Sequence, residues 1–433
     1  MHKTILYLFI AALTSCHSMK NDEPVVSAED YDTYLTDETR ITYSLVHYTQ
    51  EASFWESKLE DQPSAYLYLQ KIAVLNHDRF VNTGDIHYLR KSDSLLRQSL
   101  PMVGGGTRVS LLLSLSSNAI KLHQFKEALH YALEANEIAS DKYGPQLMAF
   151  DAYMELGEYD MAKSLLIQNK NEQDFNYLVR LSKFTDHSGD LDSAIQIMET
   201  AHKLARYSST ELQGWAKVQL GDMYGHAGQP SISYQYYLDA LSINPNDLHA
   251  LRGIAWIAYA HDRNTTEAKR ILHFLSSQTL LPDAELFFAE IADYEGKDAE
   301  KQMRYKNFIN VASRPEYDGM YNKYLIEIYN QSGAHDEAIA LAKIEFDKRP
   351  NEATQISLAW AYCVNNQAQK ALSLVLPLEG ISLEPELSYY VGRIYRANNL
   401  PNKAMHYLRE ASASSYELGP VKAHIINQAL INL

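Results

Sequence analysis

Gln219-Leu220-Gly221-Asp222-Met223-Tyr224-Gly225-His226-Ala227-Gly228 runs into a second apolar stretch that carries Tyr237 and Ala240 and stops at Pro245. These residues read as two short helices joined by a tight turn, with apolar side chains three and four apart on each. Gly221 lets a second helix approach the first closely. Gly228 supplies the positive φ that ends the first helix. Pro245 ends the second, because it has no N–H to donate and cannot continue a helix. A two-helix unit of this size cannot bury its apolar face alone and needs neighbours of the same kind.

The neighbours are present. Leu325, Tyr329, Gly333, Ala338, Ala342 and Pro350 repeat the arrangement; Tyr153, Gly157, Tyr159 and Ala162 do so again, as do Leu181, Gly189, Leu191, Ala194 and Ala201. Aligning the small residue of each second helix gives a ladder: Leu89, Ala128, Ala162, Ala194, Ser233, Ala268, Lys301, Ala338, Ala371 and Ala404, spaced 32 to 39 residues apart. Leu89 and Lys301 are the poor members. The pattern resembles the tetratricopeptide (TPR) repeat in its Leu-Gly, Tyr, Gly, Tyr, Ala, Ala and Pro positions. That resemblance implies an all-α fold, a TPR α-solenoid in which about ten helical hairpins wind into a right-handed superhelix, with first helices lining a concave groove. Most of the 31 tyrosines then fall in core slots, among them Tyr153, Tyr224, Tyr237, Tyr259, Tyr305, Tyr329, Tyr362 and Tyr395.

Composition agrees. Of 433 residues, 46% are hydrophobic and 21% charged, with only 18 Gly and 13 Pro, which argues against disorder and against a turn-rich β protein. The net charge of −15 disfavours nucleic acid as a partner. Two cysteines, Cys16 and Cys363, supply neither a disulfide framework nor a Cys-rich metal site. Gly104-Gly105-Gly106-Thr107 has no preceding strand and reads as a loop in which Thr107 caps the next helix. No motif of a catalytic site occurs, and neither a cofactor nor a metal is implied.

The N-terminus has a basic start, a short apolar run from Ile5 to Leu13, and then Thr14-Ser15-Cys16, which is the form of a secretory signal. Leu13-Thr14-Ser15-Cys16 resembles a bacterial lipobox, which implies cleavage before Cys16 and acylation of it. Lys20-Asn21-Asp22-Glu23 is similar to the stretch that exports some Bacteroidota lipoproteins. The expected organisation is a signal peptide over 1–15, lipidated Cys16 with a flexible tether over 16–30, a helical cap or eroded repeat over 31–69, the repeat array over 70–418 and a capping helix over 419–433.

If this register holds, the concave face carries Lys183, Asp186 and His187; Trp215, Asp222 and His226; His261; Glu290, Asp293 and Tyr294; Lys323 and Glu327; Trp360; and Tyr389, Arg393 and Arg396. Trp215 and Trp360 fall outside the buried slots of the pattern and are candidate anchors for a partner. Asp222 and His226, four apart, can pair. His187, His226 and His261 share one slot, but stacked helices hold that slot about 8–10 Å apart, too far for a metal to bridge. The carboxylate clamp known from the TPR family is incomplete: Lys323 matches its lysine, whereas Glu327 stands where an Asn is needed. The expected function is a non-enzymatic scaffold, anchored to the outer membrane by lipid on its periplasmic face or at the cell surface, which binds another cell-envelope protein or peptide segment. The alternative is a glycan-capture lipoprotein resembling the SusD type, for which the short gaps between repeats leave little room.

Overall fold

A residue with left-handed backbone sits in the turn of every repeat. In six repeats it is Gly84, Gly157, Gly189, Gly228, Gly296 or Gly333; in the other four it is His123, Arg263, Asn366 or Asn399, at φ between 56° and 58°. The backbone requirement is constant while the residue varies, so the strain at His123 and Arg263 is carried by the packing around them.

The computed structural model describes residues 23–35 and 42–432. The sequence-predicted signal peptide, Cys16 and the 20–22 stretch lie outside the described residues. After α1 (Ala28–Tyr31) and α2 (Thr42–Asp61) come ten antiparallel pairs. They are α3/α4 (Tyr66–Thr83, Ile86–Ser99), α5/α6 (Gly105–Lys121, Phe125–Ile138), α7/α8 (Tyr143–Leu156, Tyr159–Gln168), α9/α10 (Phe175–His187, Leu191–Ala205), α11/α12 (Thr210–His226, Pro230–Ile243), α13/α14 (Leu248–Ala260, Thr265–Gln278), α15/α16 (Asp283–Tyr294, Asp298–Ala312), α17/α18 (Asn322–Ser332, His335–Lys348), α19/α20 (Glu352–Val364, Ala368–Val375) and α21/α22 (Pro385–Ala397, Pro401–Ala413). Helix α23 (Ser415–Ile431) closes the series. The chain is a TPR α-solenoid.

The ladder positions are the hairpin cores. Leu89, Ala128, Ala162, Ala194, Ser233, Ala268, Ala338, Ala371 and Ala404 are fully buried. Lys301, the exception, extends to Asp293 at 2.7 Å and is held by charge instead. In three repeats a buried serine ties the two helices together. Ser116 and Ser182 donate to the carbonyls of Ala128 and Ala194, and Ser233 donates to that of Gly221. Tyr237 shows why glycine is needed at one slot: a Cβ on Gly221 would stand 2.5 Å from its ring, and one on Gly253 of the next hairpin 2.3 Å. The Gly104–Thr107 loop is corrected: helix α5 starts at Gly105 with Gly104 as its cap, which puts Thr107 inside the helix.

The superhelix winds tightly enough for its turns to touch. Tyr159 donates to Glu352 at 2.6 Å, Asn351 to the Glu155 carbonyl at 3.1 Å, Gln124 to Asp318 at 3.1 Å and Thr279 to the Thr83 carbonyl at 3.3 Å. The partners in these bonds are 193 to 196 residues apart. Lys126 with the Asp347 carbonyl and Arg90 with that of Glu316 extend the range to 221 and 226 residues, so each contact joins a repeat to one about six further on. An apolar seam accompanies them, joining Ile86, Leu89 and Leu122 to Phe308, Tyr317 and Tyr321.

Two further segments depart from the expected organisation. Residues 23–35, read in part as tether, lie against α12 and α14. The capping segment does not simply seal the end: α23 packs on α22 and α21 and also touches α11, α13 and α15. All but α22 are first helices, so α23 reaches into the groove.

Candidate functional site

The interior of the groove is crossed by the corner between α22 and α23. Gly419, at φ 78° and ψ 166°, breaks the helix ahead of buried Pro420. Its Cα lies so close to α13 and α15 that a Cβ would meet the Trp256 ring at 3.0 Å and the Glu290 carboxylate at 3.2 Å. Tyr416, just before it, packs on Gly225 of α11. Lys422, just after it, forms an ion pair with Glu386 of α21. Glu386 is also held by Lys323 of α17, at 2.8 Å.

This charge cluster is strongly biased. Burial alone would drive the Glu386 carboxyl up, but Lys422 and Lys323 hold it well below the usual carboxylate range. Burial would lower the Lys422 amine, yet Glu386, Glu327 and Glu290 together raise it. Glu290 has its pKa raised by burial, an effect that Lys422 reduces; Tyr259 donates to this carboxylate at 3.0 Å. The buried acids Glu290 and Glu386 at the centre of the groove therefore receive a lysine, supplied by the chain itself.

The remaining predicted groove residues divide into paired and open ones. Asp222 does not pair with His226 as expected: it accepts from the Tyr237 hydroxyl at 2.7 Å and faces His249 Nε2 at 2.9 Å, while His226 is exposed. The reason is geometric, since α12 and α13 bring Tyr237 and His249 across the groove wall to Asp222. Burial raises the Asp222 pKa, but the contacts with His249 and Tyr237 outweigh it and leave the group low. His187 stacks at 3.9 Å on Tyr159 at the seam between turns, and His261 lies 2.7 Å from Asp262. Lys183 pairs with Glu155 at 3.0 Å. Glu327 accepts from Gln331 at 2.9 Å. Asp186, Tyr294 and Arg396 are exposed.

The aromatic anchors separate. Trp360 is half-buried, with the Arg393 guanidinium 5.3 Å from its ring and Tyr390 at 5.2 Å. Tyr389 is buried and accepts from Arg393 at 2.7 Å. Neither presents itself to a partner, because α19 and α21 lie side by side and cover these positions. Trp215 remains 40% exposed, with Phe175 edge-on at 6.0 Å.

Glu386, Tyr416 and Lys422 were missed. Their signal was the Gly419-Pro420 break, which marks a corner, but which wall that corner meets depends on the superhelical pitch. Cys363 is half-buried, and its thiol is pushed up by burial. Among the described residues no three His, Cys, Asp or Glu side chains converge in a metal-binding arrangement, and no helix is long and apolar enough to cross a membrane.

This geometry defines a helical-repeat chain whose groove is filled at its centre by its own α23 and which leaves Trp215 and Tyr294 exposed. No known family profile matches the sequence, and no curated protein matches it. Among solved structures, yeast Tom70 is similar over 94% of this chain and 97% of its own, at 12% identity and a TM-score of 0.39. A tetratricopeptide repeat protein from Parabacteroides merdae is similar over 60% of this chain and 98% of its own, at 15% identity and a TM-score of 0.35. YrrB, described as a TPR protein with an unusual peptide-binding site, covers 46% of this chain and 97% of its own, at 14% identity and a TM-score of 0.27.

Proposed function

We propose that the chain is a non-enzymatic interaction scaffold, carried on a lipid at Cys16 at the outer membrane, that receives a segment of another cell-envelope protein. The observation that carries this reading is Trp215. It is a large aromatic side chain left 40% exposed on a first helix and braced by Phe175, whereas Tyr389 is buried and Trp360 half-buried at the far end of the array. Such residues dominate binding energy where a partner buries them. The partner docks over α9 and α11 and not through the middle of the groove, which the α22–α23 corner fills. The open polar groups of those two helices, Asp186 and His226, give that face a mixed character suited to a polar, aromatic-bearing peptide. The short connections between hairpins favour this reading over glycan capture.

The test is cross-linked capture from intact cells with the native lipoprotein and with Trp215→Ala. One envelope protein enriched by the native chain and lost with the variant, at unchanged helical circular dichroism, is the expected result. Equal capture by both forms rejects the α9–α11 face.

A further inference from the structure

Residues 23–35 precede the repeats, yet they are bound to the middle of them. The segment crosses the outer flank of repeats five and six, between α12 and α14. Asp262, in the turn between α13 and α14, accepts a hydrogen bond on each carboxylate oxygen, from the backbone N–H of Val25 and of Val26, both at 2.9 Å. The Tyr234 hydroxyl on α12 accepts from the Ser27 N–H at 3.2 Å and lies 3.0 Å from the Ser27 carbonyl and 3.1 Å from the Asp30 carboxylate. The single turn α1 then delivers Tyr31 into the core of these repeats, where it is fully buried and bonded to Glu267. Arg270 of α14 closes the site on Asp32 at 2.6 Å.

The cleft is built for this occupant. The Asp262 side chain is only 3% exposed. A buried carboxylate needs donors; the consecutive backbone amides of Val25 and Val26 supply one to each oxygen, and His261 Nδ1 lies 2.7 Å from the same carboxylate. Burial of Tyr31 adds the apolar part, and the Arg270–Asp32 pair fixes the register.

The consequence is a change in where the solenoid is held. Without the docking, the leash from Cys16 would run 26 residues to α2 at Thr42, which packs on α3. With Val25 docked, nine residues remain, and these span at most about 30 Å when fully extended. We propose that residues 25–32 are an intramolecular ligand of the α12–α14 cleft, and that this clip is the mechanical link between the lipid on Cys16 and the solenoid, holding the outer flank of repeats five and six toward the bilayer. The first-helix face with Trp215 is thereby turned away from the lipid. The docking itself does not depend on the lipoprotein reading; the orientation rests on it.

The test has two arms on the full mature chain. In solution, with Cys16→Ser, hydrogen exchange at residues 25–32 is expected to be slowed at least 100-fold relative to unstructured chain. Tyr31→Ala abolishes that protection, and Tyr31→Phe retains most of it. Exchange at the unstructured rate in the native chain overturns the docking. In the second arm the acylated chain, in a Cys363→Ser background, is placed on phosphatidylcholine–phosphatidylglycerol vesicles that carry a headgroup quencher. A fluorophore at position 235, on the outer flank, is expected to be quenched several-fold more than one at position 183, and Tyr31→Ala equalises the two. Equal quenching in the native chain overturns the orientation. A chain from cells whose mass shows no acyl group at Cys16 refutes the lipoprotein reading and the orientation with it, while the exchange arm still decides the docking.

Discussion

Replacing Lys422 with Met removes the cation at the centre of the groove while keeping the length of the side chain. Glu386 is then left with Lys323 alone, and Glu290 loses the charge that opposes its burial. Breaking a fully buried pair costs about 3–5 kcal/mol. Here the Lys422 and Glu386 side chains are 27% and 23% exposed, so water screens part of that loss, and about 2–3 kcal/mol is the reasonable figure. The cost falls first on the α22–α23 corner, because in a solenoid each element is held mainly by its neighbours. At about 1.4 kcal/mol per factor of ten, α23 amides should lose roughly 30- to 150-fold of their hydrogen-exchange protection at pH 7. The pH dependence has a definite sign. The depressed pKa of Glu386 contributes stability at neutral pH that is lost as pH falls below the ordinary carboxylate range, through its folded value. In the variant that carboxylate is less strongly held and protonates sooner on acidification, so the difference between native and variant should shrink toward pH 3. Unchanged α23 protection at pH 7, or a deficit of the same size at pH 3, would refute this account of the corner.

Gly253→Ala should destabilise the array by about 1–3 kcal/mol through overpacking against Tyr237, read as a lowered urea midpoint. Gly228→Ala has open space around it and pays only for its positive φ, so a cost near 1 kcal/mol is expected; equal costs at the two sites would argue against the Tyr237 sandwich. Tyr159→Phe removes the Glu352 contact between superhelical turns and should cost about 1–2 kcal/mol in the same assay, with helix content unchanged. Trp215→Ala should weaken partner capture by about 30-fold or more, and Trp360→Ala should instead lower stability.

The repeat was legible in the sequence because its signals are local. Gly228, Tyr237 and the alanine ladder each act within one hairpin or across one junction, so spacing alone located ten hairpins and their buried slots. Lys301 and Leu89 looked like failures of the pattern, yet one is fully buried and the other is paired with Asp293. The groove was legible only as a list of positions. Whether Trp360 is open or half-buried depends on how closely α19 and α21 lie, and whether Asp222 meets His226 or His249 depends on the next hairpin. Neither distance is written in one repeat. The contacts between turns, and the docking of Tyr31 and Lys422, join residues far apart in the chain through the pitch of the superhelix. A small rotation per repeat, summed over six, decides them, and no short-range pattern encodes that sum. Over residues 23–30 the structure replaces the expected tether by a docked segment for the same reason: Val25 to Tyr31 is short, and nothing near it in sequence announces Asp262 or Tyr234.

The closed groove depends on successive turns of the solenoid touching, and the distance between those turns reports it directly. Spin labels at positions 126 and 347, where Lys126 donates to the Asp347 carbonyl at 2.9 Å, report on that seam without touching the groove. Pulsed dipolar spectroscopy on the full chain should give a single short and narrow distance distribution, unchanged by Trp215→Ala. A long or broad distribution would mean that the superhelix is open, and the closed groove and its filled centre would fall with it.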